Sequence, residues 1–117
     1  MSVLLDEQGK VVCARLEVAD NPRARMRGLL GRDSIADDQC LLLRPAGSVH
    51  TAFMRFPIDV VFLDRAMRVQ RIVPNLRPWR MAGQRGARAV LEMGAGGAAR
   101  SGISAGMELR LGNTGAA

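Results

Sequence analysis

Apolar positions in this chain come in short bursts, and their period changes from two to about three and a half at one clear place. Residues 11–18 alternate, with Val12, Ala14, Leu16 and Val18 on one side and Val11, Cys13, Arg15 and Glu17 on the other, as in a half-buried strand. Gln8-Gly9 turns the chain into it from a short strand at residues 3–5. The period then switches. Asn21 can cap a helix, Pro22 suits the first helical position, and Met26, Leu29 and Leu30 fall at i, i+3 and i+4, which predicts one short helix over residues 22–30 ended by Gly31. Arg23, Arg25 and Arg27 lie away from its apolar stripe, and Arg32 follows it.

After the helix the strand pattern resumes. Residues 40–43 form a buried strand stopped by Pro45 and Gly47, and residues 58–63 form another, joined through Asp64-Arg65-Ala66 to an alternating return at 67–73. Pro74 and Pro78 bracket an irregular stretch bearing Trp79, a ligand-facing ring or, the favoured reading, a lid over the core. Residues 87–93 make a further strand, 98–103 a helical turn, and 107–111 a closing strand. The pattern therefore predicts an all-β, compact, antiparallel β-sandwich or barrel-like single domain over residues 1–112, with 113–117 as a frayed tail.

Composition narrows the setting more than the chemistry. The 117 residues suffice for one core, and 13 glycines and five prolines suit short strands and turns. No apolar run approaches a membrane span and the N-terminus lacks a secretory core, so a cytoplasmic protein is expected. Cys13 and Cys40 could in principle pair, but both sit in apolar runs with nothing to mark a secreted chain, and separate buried thiols are the favoured reading. The net charge of +6 could draw the chain weakly to nucleic acid, but the arginines are scattered and only three Phe and one Trp could stack on bases. That argues against a nucleic-acid protein.

Candidate chemistry concentrates in residues 48–64, where the sole histidine, an arginine and a carboxylate interrupt the most apolar stretch. Asp59 shares a strand face with Val61 and Leu63, so it needs a partner. Arg55, Arg27 and Arg32 offer the guanidinium fork that fits a carboxylate, while a plain clamp on backbone N–H groups is the alternative. His50, beside Thr51, is the side chain type that exchanges protons near neutrality. Glu92 could supply a second carboxylate for acid/base work, or be held by an arginine. Other constellations fail: Gly94-x-Gly96-x-x-Ala99 is followed by too little chain for a dinucleotide fold, and the histidine and cysteines lack metal-ligand spacing. No metal and no cofactor is expected.

Four motifs recur in an order that resembles a known family: Leu16-Glu17-Val18-Ala19-Asp20; Arg27-Gly28-Leu29-Leu30-Gly31-Arg32; His50-Thr51 with Phe53-Met54-Arg55-Phe56-Pro57-Ile58-Asp59; and Val90-Leu91-Glu92 with a glycine turn and Gly102-Ile103. The family is domain of unknown function 192. The resemblance implies a compact β-sandwich or barrel-like domain with a small helix, found mostly in bacteria and archaea, and no activity to carry over. The functional expectation is a binding domain for a small anionic or amphipathic ligand or acidic peptide, at a cleft formed by His50, Thr51, Arg55, Asp59, Glu92, Arg27 and Arg32. The alternative is a hydrolase or transferase working through Asp59, Glu92 and His50. Oligomeric state is open.

Overall fold

The computed structural model describes residues 2–113. Among the described residues, nine strands form one seven-stranded sheet and one two-stranded ribbon. Strands β1 (Ser2–Leu5) and β2 (Val11–Ala19) make the predicted hairpin. Its turn is fixed by the Asp6 carboxylate, which accepts the N–H groups of Gln8 and Lys10 at 2.9 Å each. Helix α1 (Pro22–Arg27) follows, its Asn21 cap accepting the Ala24 N–H at 2.8 Å with Pro22 at the start. Then come β3 (Gln39–Leu43), β4 (Ser48–His50), β5 (Ile58–Leu63), β6 (Val69–Leu76), β7 (Met81–Gly83), β8 (Ala89–Gly94), the short helix α2 (Gly97–Arg100) and β9 (Arg110–Asn113).

The large sheet runs β6-β5-β8-β3-β2-β1-β9, and β4 pairs with β7. The β-rich expectation holds, with one correction: β2 and β3 pair in parallel, so the sheet is mixed rather than antiparallel. A parallel pair needs a crossover, and residues 20–38, which carry α1, provide it. The sheet coils until its edges meet locally. Arg68 bridges Glu108, and the Val69 N–H donates to the Met107 carbonyl at 2.7 Å, yet among the described residues the barrel stays open.

Alternation along the central strands sorts side chains onto two faces. Leu42, Val61, Leu63, Leu91 and Leu109 enter one apolar cluster, joined by Ala98 of α2. Leu41, Leu43, Ile58, Val60, Phe62 and Val90 enter the other, covered by Leu29, Met54 and the β4–β7 ribbon. β5 is buried along its whole length, its five apolar residues split between the two clusters and its one polar residue, Asp59, buried with them.

Several expectations change. The helix stops at Arg27, because Gly28 leaves the helical region at φ 47°, and the predicted stripe is split: Leu29 is buried while Met26 is exposed. Cys13 and Cys40 are not separate thiols but a disulfide, with Cα atoms 6.5 Å apart across neighbouring strands. A bulge in β2 makes this possible by turning both Val12 and Cys13 inward and Ala14 out. β6 continues through Pro74 to Leu76, which an edge strand tolerates. Asn113 closes β9 opposite Ser2 rather than beginning a tail, and the remaining tail positions, 114–117, lie outside the described residues.

Candidate functional site

The residues expected to converge do not all do so, and register decides which do. β5 and β8 pair with Asp59 opposite Met93 and Val60 opposite Glu92. Asp59 thus shares a face with the Met93 cluster and Glu92 with the Val60 cluster, so the two carboxylates lie on opposite sides of the sheet. They cannot act as a pair.

Asp59 is 1% exposed and fully employed. Its Oδ1 accepts the N–H groups of Asn75 at 2.9 Å and Gly96 at 3.1 Å, and its Oδ2 accepts that of Ala98 at 3.0 Å. The first bond fills the irregular step between Ile58 and Val60 in the β5–β6 ladder, and the other two hold the start of α2, which has no side-chain cap of its own. The glycine-rich segment that formally matched a nucleotide fingerprint therefore spends its N–H groups on Asp59. This carboxylate is a clamp.

Thr51, Arg55 and Arg32 also settle elsewhere. Thr51 is fully buried, and its hydroxyl donates to the Arg77 carbonyl at 2.6 Å and accepts the Arg80 N–H at 2.9 Å. Its carbonyl takes the N–H groups of both Met54 and Trp79, tying two loops together. Arg55 pairs with Asp33 on the surface, not with Asp59. Arg32 pairs with Glu17 at 2.7 Å beside a hollow of about 330 Å³ that reaches Arg27.

The residues that do gather are His50, Glu92 and Arg27, with Arg25 added. A cleft of about 100 Å³ lies between β4 and the segment from Arg25 to Leu30, and Glu92 sits on its floor with Leu43 and Met54. Gly28 leaves room there: a Cβ at that position would stand 3.8 Å from the Glu92 Oε1. Glu92 is 4% exposed, and its carboxyl has no hydrogen-bond or ionic partner among the described residues. Burial pushes it up to about 7. Neither Arg25 nor Arg27 is paired with an acid among the described residues, and His50 is exposed at the rim. Glu92 is thus a buried acid without a partner, under a cationic rim.

An apolar shelf adjoins the cleft at His50. It is a shallow hollow lined by His50, Ala52, Trp79, Arg80 and Met81. Trp79, expected as a core lid, is instead 60% exposed, and its ring lies 4.6 Å from that of Phe53, itself 72% exposed. Both residues hold left-handed backbone, at φ 65° and 64°. For bulky side chains that conformation costs about 1 kcal/mol or more each, and the Thr51 bonds sustain it. Arg25 and Met81 are the candidate-site residues sequence reading missed, and for Trp79 it preferred the core lid to the ligand-facing ring, because exposure of a tryptophan between prolines depends on contacts made far along the chain.

Among the described residues no three His, Cys, Asp or Glu side chains could hold a metal, and no helix is long and apolar enough to cross a membrane. Fold and site together define a class: a coiled mixed sheet with a buried acid in a basic-walled cleft. The whole-chain fold is shared with a protein of unknown function from Novosphingobium aromaticivorans DSM 12444, at 26% identity and a TM-score of 0.79 over 93% of this chain and 82% of that one. It is also shared with a transcription-regulator candidate from Sinorhizobium meliloti 1021, at 24% identity and a TM-score of 0.78 over 93% and 90%. A UPF0127 protein of Thermococcus sibiricus (strain DSM 12597 / MM 739) is 35% identical over 77 residues, 62% of this chain and 49% of the relative. The match thus spans about half of that relative's length. Residues 3–111 match the family model DUF192, uncharacterized ACR, and the chain belongs to that family.

Proposed function

We propose that this domain binds a small anionic ligand in the cleft between β4 and the Arg25–Leu30 segment, with Arg25 and Arg27 drawing the anion in and the protonated Glu92 carboxyl donating to it. The observation that carries the reading is Glu92 itself, buried and unpartnered at the floor of an open cleft. Arg55, Asp59, Thr51 and Arg32 are outside this reading, since each is engaged in a bond that shapes the fold or its surface. The disulfide supports an oxidising compartment rather than the cytoplasm expected from sequence.

Octanoate titrated into 15N-labelled protein at pH 6 tests this. The Gly28, His50 and Glu92 amides should shift saturably, and Arg27→Ala should weaken binding about tenfold, the loss of one charge-assisted contact. Unmoved resonances across a panel of octanoate, acetate and inorganic phosphate would remove the proposal.

One observation favours an enzymatic second reading. Glu92 and His50 border the same cleft, and a carboxyl near neutrality is suited to general acid/base work. That reading predicts hydrolysis of p-nitrophenyl acetate above the buffer rate, lost in Glu92→Gln and retained in Asp59→Asn. Equal rates for wild type and Glu92→Gln would end it.

A further inference from the structure

The ribbon presents a free strand edge where the cleft opens. Thr51 donates its N–H to the Arg80 carbonyl at 2.8 Å and Gln84 donates to the Gly47 carbonyl at 3.1 Å, so positions 47 and 51 face β7. Antiparallel alternation, with Ser48 opposite Gly83 and His50 opposite Met81, then turns the N–H and C=O groups of Ser48 and His50 away from β7. No described residue bonds to these four groups. Ser48, Val49 and His50 all line the Glu92 cleft, so the unpaired edge borders it.

The two sides of that edge differ in chemistry. Val49 packs inward against the core, while the facing pair His50 and Met81 lies on the outer side, where Trp79 and Arg80 complete the shelf. Met81 is 80% exposed, and the fold gains little burial from it or from the strained Phe53–Trp79 pair. Arg25 and Arg27 stand on one side of the edge and Arg80 on the other, none paired with an acid among the described residues.

We infer that β4 accepts an extended acidic peptide segment as an added strand, its main chain bonding to Ser48 and His50, its apolar side chains meeting the Trp79–Met81 shelf and its carboxylates meeting the arginines. This rests on the reading of the Glu92 cleft as a binding site and names the occupant. A small anion satisfies Arg27 and Glu92 but leaves the row of main-chain groups unanswered; an extended chain carries the complementary row.

The probe is an acetylated, amidated hexapeptide alternating aspartate and valine, with two copies N-methylated on all aspartates or on all valines. Trp79, the sole tryptophan, reports binding by fluorescence, and hydrogen exchange reports on single amides. The parent peptide should shift Trp79 emission and slow exchange of the Ser48 and His50 amides. One methylated copy should bind about tenfold more weakly, since only one set of N–H groups faces β4. Equal binding by all three peptides, or binding that leaves both amides unprotected, overturns the inference. Octanoate binding without peptide binding also overturns it while the cleft reading stands; if neither binds, the cleft reading falls with it.

Discussion

Asp59→Ala will destabilise the domain by about 4 kcal/mol, lowering the midpoint of thermal unfolding by roughly 15 °C, without touching the Glu92 cleft. The size follows from what is left behind. Three main-chain N–H groups, from Asn75, Gly96 and Ala98, lose their shared acceptor; the Ala98 bond is buried and the other two are part-buried. A donor left unpaired costs about 1–3 kcal/mol where it is buried, as at Ala98, and nearer the lower limit where water reaches it, as at Asn75 and Gly96, which keeps the sum well below the maximum. Asp59→Asn retains one acceptor oxygen and sets an amide against the remaining donor, so a loss of about 2 kcal/mol is expected. Urea unfolding gives both values, and octanoate titration of the asparagine variant completes the test. A variant that keeps wild-type stability but loses ligand binding would return Asp59 to the site.

Glu92→Gln should have the opposite sign. The folded carboxyl is pushed up to about 7 from an ordinary value of 4.5, so between those limits the folded protein holds a proton that the unfolded chain has released. Stability therefore falls as pH rises from 4.5 to about 7 and levels off above, a total of about 3 kcal/mol. Glutamine has no charge to bury, so the variant should exceed wild type by about that amount at pH 8 and match it near pH 4. Urea unfolding of both proteins at pH 4, 6 and 8 measures the difference. A variant no more stable than wild type at pH 8 would show that the carboxylate finds hydration in the cleft. An acid at such a position lowers stability above neutral pH, a cost that the proposed binding role would offset.

The sequence carried the strands and much of their facing. The alternation that set Asp59 with Val61 and Leu63, and Glu92 opposite Leu91 and Met93, survives in the two apolar clusters. What alternation within a strand could not supply was the register between strands. One residue of offset puts Asp59 beside Met93 instead of Glu92 and so sends the acids to opposite faces. The clamp was legible as an alternative but not as the answer, because its donors come from Asn75 and from 37 and 39 residues further along the chain. The parallel β2–β3 pair was hidden for a related reason: a helix after a strand announces a crossover only once its return partner is known. The disulfide depended on the bulge that turns Cys13 inward, which a strict period of two excludes. Met26 was misplaced because a three-residue spacing was extended across Gly28, where the chain leaves the helix.

That crossover has an outcome for how such domains diversify. Residues 20–38 leave the sheet from β2 and rejoin it beside β2, and the sulfur link fastens the two strands near the point of return. The excursion is thus anchored at both ends by the sheet, and within it Leu29 in the core and Asp38 on Arg15 of β2 tie it down. Its arginines can be exchanged, or its length altered, while the ladders stay in step, so this stretch serves as a cassette through which one scaffold can be retuned to different charges without being refolded.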